Sequence, residues 1–174
     1  MDERVKEILA AVAAETLERL AFLFSSPQEE NKGLISNSMA ASISFKGPFS
    51  GRLVMKMSAL AVLELSANML GIDEDKVTIE QQSDAIKETI NIICGNLLPV
   101  IGGNQVEFNI NSPEIISELR DEERIPENND KGRPLALAKL IIDDEPYELY
   151  LFVDGDVSSC CFDPNMRLGG MTEK

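Results

Sequence analysis

Two long stretches of helical period, each followed by short alternating segments, constrain this chain more than any other feature. From Glu3 to Phe24 the apolar positions Val5, Ile8, Leu9, Val12, Leu20 and Leu23 recur every three or four residues, which gathers them on one helix face. Ser25-Ser26-Pro27 reads as the stop to that helix. From Ser83 to about Pro99, Ile86, Ile90, Ile93 and Leu97 form a second such stripe. Between the two, Ser42-Ile43-Ser44-Phe45 alternates as a strand does, Gly47-Pro48 reads as a turn, and Leu53, Met55 and Met57 alternate beyond it. A short helix from about Ala59 to Leu70 follows, with Gly71 placed to end it. After the second long helix, Val106 to Ile110 reads as a strand and Pro113 to Arg133 as a charged connection, with Glu127 to Gly132 an exposed loop. Leu135–Ile142 and Tyr147–Val153 are expected to form two last strands around an Asp143-Asp144-Glu145-Pro146 turn.

Each half thus opens on a long helix and runs into tightly turned strands. The order predicts an α+β fold, a mainly antiparallel sheet covered by two long helices, with an internal two-fold repeat of helix-strand-strand units. The halves fall at about 1–72 and 73–155 of one domain spanning 1–174, with a loosely ordered tail from about 163 to 174. With 174 residues, 44% hydrophobic, the chain can build a proper core. Aromatic residues make up only 5%, so Leu, Ile, Val, Met and Ala must fill it, Met55 and Met57 among them.

Charge and missing residue types narrow the chemistry. Sixteen basic residues stand against 30 acidic ones, a net charge of −14. Nucleic acid and anionic membranes are bound through clustered Lys and Arg, so neither is expected as a partner, whereas a basic protein surface is. Histidine is absent, which removes Ser-His and Cys-His catalysis, His-ligated zinc and histidine phosphotransfer. No nucleotide-cradling glycine motif occurs. Asp73-Glu74-Asp75 lacks the ligand spacing of a calcium loop, so no metal site and no cofactor of its own is expected. Cys94, Cys160 and Cys161 form no disulfide framework. With no basic-then-apolar leader and no apolar run of roughly 18–20 residues, a reduced cytoplasmic location is expected.

What chemistry remains must use carboxylates, amides or backbone, and the second long helix offers a candidate. At about 100° per residue, Asp84, Glu88, Asn91 and Gly95 fall along one narrow stripe opposite Ile86, Ile90, Ile93 and Leu97. The apolar stripe must face the sheet, so the polar one faces outward. The plain reading is a solvated surface, with Asp84 favourable near the helix N-terminus. Asn91 and Gly95 count against it, since both are poor choices for an exposed helix interior. Gly95, one turn beyond Asn91, leaves room for close approach to the backbone.

Asp84-x-x-x-Glu88-x-x-Asn91-x-x-x-Gly95 resembles the active-site helix of the CheC/CheX/FliY family of chemotaxis phosphatases. Cys94-Gly95-Asn96-Leu97-Leu98-Pro99, Glu15-Thr16-Leu17-Glu18-Arg19-Leu20 and Phe45-Lys46-Gly47-Pro48-Phe49-Ser50-Gly51 are similar to the family's sequences too. The resemblance implies a phosphatase acting on the aspartyl phosphate of a CheY-like response-regulator receiver, whose magnesium sits on the receiver. It implies that Asn91 orients the attacking water and that Glu88 contacts the receiver's active-site lysine. Asp84 and Gly95 would support the helix start and close docking. Two-site members carry Glu-x-x-Asn on both long helices. Here the first helix has Glu15-x-x-Glu18, so that half is expected to be inert, as in the CheX branch, whose members pair as homodimers. The family's downstream proline would be Pro113. An adaptor that grips a phosphorylated receiver or flagellar switch component without turnover would use the same helix. A structural dimer with a merely solvated stripe is the third reading.

Overall fold

A computed structural model describes residues 3–28, 37–103, 105–116 and 133–154. Helix α1 spans Glu3–Ala21 and buries Val5, Ile8, Leu9, Val12, Ala13 and Leu17. It ends three residues before the expected Phe24. Phe22 adopts a left-handed conformation (φ 56°), its N–H donates to Glu18 O at 3.0 Å, and the N–H of Leu23 reaches back to Leu17 O at 3.4 Å. The bond from Phe22 is that of a left-handed αL stop, and the buried Leu23 follows it into the core.

Ser25–Pro27, expected only as a helix stop, is itself a short strand, β1, paired with residues 140–142. Short polar stretches with a proline carry no strand signal. Pairing with a remote partner makes this one, and an edge position tolerates the missing N–H of Pro27. The predicted hairpin is β2 (Ser38–Lys46) and β3 (Ser50–Ser58), with Phe45 opposite Gly51. Helix α2 occupies Ala59–Leu70, capped by the Ser58 hydroxyl, which accepts from Ala61 N, and closed by Gly71 at φ 65°. A 3-10 turn, Glu74–Lys76, carries the acidic loop, where Asp73 pairs with Lys76.

Helix α3, Ile79–Gly102, begins four residues before the expected Ser83. The start is set by a reciprocal cap: Thr78 and Gln81 exchange side-chain and backbone hydrogen bonds. The expected strand 106–110 shrinks to β4, Asn109–Ile110. Inside the span read as a charged connection lies another strand, β5, Glu114–Ile116, on the outer side of β2. Residues 117–132 of that span, the loop 127–132 among them, Cys160, Cys161 and the tail lie outside the described residues. Strands β6 (Ala136–Ile142) and β7 (Glu145–Val153) form the last hairpin. Its turn is only Asp143-Asp144, both at positive φ (44° and 70°), as a two-residue hairpin turn requires. The expected turn residues Glu145 and Pro146 already belong to β7.

Among the described residues all strand pairs are antiparallel, in the order β1-β6-β7-β3-β2, with β4 and β5 both beyond β2. Exchanging β1, β2 and β3 for β4–β5, β6 and β7 turns this order into its own reverse, the topological signature of the internal two-fold. The core lies between sheet and helices. Ile43, Phe45, Leu53, Met55, Met57, Leu149 and Leu151 face Ile86, Ile90, Ile93 and Leu97 from α3 and the apolar stripe of α1. Phe45, Phe49 and Phe108 meet edge to face at 5.1–6.0 Å. Phe108 also lies where a Cβ on Gly102 would be (2.7 Å), tying the end of α3 to the hairpin.

Glu64 on α2 is held above the ordinary glutamate range, first by partial burial and then by the neighbouring Asp143 carboxyl, with Glu74 and Glu145 adding to it. A raised pKa means that the fold favours the protonated form, so this group weakens the fold as pH rises through that pKa. Glu64→Gln is therefore expected to raise the urea midpoint modestly at pH 7. The gain should fade as pH falls below the ordinary glutamate range, where the wild-type carboxyl is neutral too. Equal midpoints at pH 7 would show that the repulsion is screened.

Candidate functional site

The outward side of α3 is built by the inward one. Ala85, Ile86, Thr89, Ile90, Ile93, Cys94, Leu97, Leu98 and Ile101 are buried. Burial on that scale fixes the helix phase, since turning it would expose several residues worth about 1.5–3 kcal/mol each. Asp84, Glu88, Asn91, Gly95 and Pro99 are all exposed on the opposite side, so the structure brings the four sequence-predicted residues onto one surface. Glu88 and Asn91 lie about 4.5 Å apart along the axis. Asp84, its side chain 75% exposed, pairs with Lys87 at 2.7 Å. Among the described residues, Glu88 and Asn91 make no side-chain hydrogen bond or ion pair. Their polar atoms are presented to whatever approaches.

Gly95 has a second structural reason beyond close docking. Pro99 stands four residues on, within the helix. It cannot donate to the Gly95 carbonyl, and its ring presses on that carbonyl. A residue without Cβ gives the local backbone room to adapt. A Cβ placed on Gly95 would nevertheless meet nothing within 4 Å. Gly95→Ala is thus expected to stabilise the free chain by about 1 kcal/mol in chemical denaturation, and, if the stripe is a docking face, to lower whatever activity that face supports several-fold. A stabler chain with undiminished activity would leave Gly95 no part in docking.

The first helix carries the matching face. Thr16 and Thr89 are both buried, and each hydroxyl donates to the carbonyl four residues back at 2.8 Å. Laying Thr16 on Thr89 sets Glu15 on Glu88 and Glu18 on Asn91. Glu15 pairs with Arg19 at 2.5 Å, and Glu18 is exposed. The two helices touch where Asn96 Nδ2 donates to Thr16 Oγ1 at 3.4 Å. This cross-helix bond has no signature in sequence beyond an Asn next to the exposed stripe.

Other candidates take ordinary places. Burial pushes the Cys94 thiol up to about 12, making it an inert core group. Pro113 is half-buried between β4 and β5. Among the described residues no three His, Cys, Asp or Glu side chains converge to hold a metal, and no helix is long and apolar enough to cross a membrane.

The fold is that of the chemotaxis proteins CheX, CheC and FliY. A CheX from Vibrio vulnificus superposes with a TM-score of 0.64 at 18% identity, over 88% of this chain and all of that one. The Desulfovibrio desulfuricans CheX gives 0.62 at 13%, over 86% and 99%. A CheX–CheY–BeF3–Mg complex from Borrelia burgdorferi gives 0.58 at 15%, over 84% and 96%. No curated protein sequence matches the chain. Residues 39–129, which hold the whole α3 stripe, match the family model for the chemotaxis phosphatase CheX, and the chain belongs to that family.

Proposed function

We propose that the chain dephosphorylates the aspartyl phosphate of a CheY-like receiver domain, with Asn91 and Glu88 as its working pair. The observation that carries this reading is an outward stripe whose amide and carboxylate have no partner among the described residues, on a helix whose phase is fixed by burial. An aspartyl phosphate is an activated acyl phosphate, and the magnesium that balances its charge belongs to the receiver. What the reaction lacks is a water held in line with the leaving carboxylate oxygen. The Asn91 amide can accept from that water and donate beside it without adding charge. As the water oxygen bonds to phosphorus, the bond to the receiver aspartate breaks, releasing inorganic phosphate and a free carboxylate. Glu88 gives a charge-assisted contact to the receiver lysine and so fixes register.

The Borrelia CheX bound to CheY supports a receiver as partner, and the family's name supports turnover. Homodimerisation and a cytoplasmic setting belong to the same reading. Glu18, a carboxylate where the water-orienting amide would stand, leaves the first half without a working pair. The test is phosphate release from a magnesium-bound phosphorylated receiver, with and without the chain. Acceleration is expected, with Glu88→Ala weakening both binding and turnover. Binding without acceleration, against several receivers at saturating protein, would make the chain an adaptor.

A further inference from the structure

We infer a second docking surface, away from the α3 stripe, on the outward face of α2 and the cleft between the C-terminal ends of α1 and α2, fitted to a basic amphipathic helix of a partner protein. Helix α2 is unusually apolar on the side that faces away from the core: Leu60 is 63% exposed and Leu70 48% exposed. At about 100° and 1.5 Å per residue the two lie about 80° apart around the helix and about 15 Å apart along it, with half-buried Leu63 and the small Ala67 between them. Phe22, just past the end of α1, offers a further apolar group beside the C-terminal half of α2. It is 79% exposed and lines a shallow cleft of about 370 Å³ with Ala67 and Gly71.

Phe22 is also placed at a cost. Its φ of 56° puts a bulky residue in the left-handed stop position that glycine fills without strain. Neither its packing nor its backbone explains a phenylalanine there, whereas an apolar anchor offered to a partner does. Exposed apolar surface rimmed by charge marks interaction sites.

The rim decides the occupant. Glu64, the single charged residue of α2, lies within electrostatic reach of Asp143, Glu74 and Glu145. Glu64 stands one turn from Leu60 on α2, and Asp73 lines the cleft beside Phe22, so carboxyls flank both apolar anchors and incoming Lys or Arg relieves their repulsion. A second copy of this chain, at −14, brings the wrong sign. So do the chain's own segments 29–36, 117–132 and 155–174, in each of which acidic residues outnumber basic ones. A helix with leucine-type anchors on one side and lysines beside them matches both halves of the surface.

The test uses a fluorescent 18-residue Leu/Lys peptide of helical amphipathic period, with a scrambled peptide of the same composition as control, read by anisotropy. The wild-type chain is expected to bind the amphipathic peptide at least 10-fold more tightly than the scrambled one. Phe22→Gly and Leu60→Ser should each cut that affinity at least 10-fold, and Glu64→Gln should flatten its salt dependence. Phe22→Gly relieves the backbone and Leu60 is exposed, so loss of binding would not be loss of fold, which thermal melts confirm. Receiver dephosphorylation should be unchanged in these variants. Its absence even in the wild type would count against the α3 reading and leave the peptide result standing. Equal binding of both peptides, or undiminished binding by the variants, would overturn the surface. So would a wild-type self-association that Leu60→Ser abolishes, which would give the face to a second copy.

Discussion

Asn91→Ala should release phosphate from a phosphorylated receiver at least about 10²-fold more slowly than the wild type, at nearly unchanged affinity. The size follows from what positioning can supply, since holding a reactant in line recovers a large part of the entropic barrier. The small effect on affinity follows from the geometry. Asn91 contributes one neutral amide at the surface, while Glu88 contributes a charge and the helix body contributes shape. The substitution is also benign to the fold, because an exposed helical position prefers Ala to Asn by a few tenths of a kcal/mol. Single-turnover phosphate release at saturating protein, alongside a direct affinity measurement, separates the two effects. A parallel loss of affinity and rate would move Asn91 from orienting water to gripping the receiver. Full activity in the variant would end the proposed mechanism.

The largest expected effect on stability is at Gly51. A Cβ there would stand 2.2 Å from the Phe152 carbonyl oxygen and 2.8 Å from the Phe45 ring. Neither neighbour can yield: the carbonyl belongs to β7, to which β3 is paired, and Phe45 is locked by Phe49 and Phe108. Gly51→Ala is expected to cost about 3 kcal/mol, at the upper end of overpacking penalties. For a chain of this size that lowers Tm by roughly 6–12 °C, measurable by calorimetry. A shift under a degree would mean that the central sheet gives way at no cost.

Much of this was legible in the residues, and particular positions show why. The α3 stripe was readable because one turn of period puts Ile86, Ile90, Ile93 and Leu97 under the core, and their burial dictates where Asp84, Glu88, Asn91 and Gly95 must point. Gly71 ended α2 as read, since an open left-handed stop is a local event. What sequence hid was either non-local or reciprocal. Ser25–Pro27 becomes a strand through Leu140, Ile141 and Ile142, more than a hundred residues away. Glu114–Ile116 becomes one through β2, although its charged surroundings read as a connection. The true start of α3 was written in Thr78 and Gln81, a weaker signal than the apolar period that begins after it. The stop of α1 was hidden by a phenylalanine in the place where glycine is the usual sign.

The fastening of α3 has a consequence for the thermodynamics of encounter. Its first turn is held by the Thr78–Gln81 exchange, its last by Phe108 against Gly102, and its middle by a buried flank. Glu88 and Asn91 therefore stand on a backbone that has already lost its freedom in the unbound chain. Association then has to freeze only their few side-chain torsions, about 0.5–1.5 kcal/mol for each immobilised side chain. In the proposed complex the ordering penalty then falls mainly on the receiver rather than on this chain.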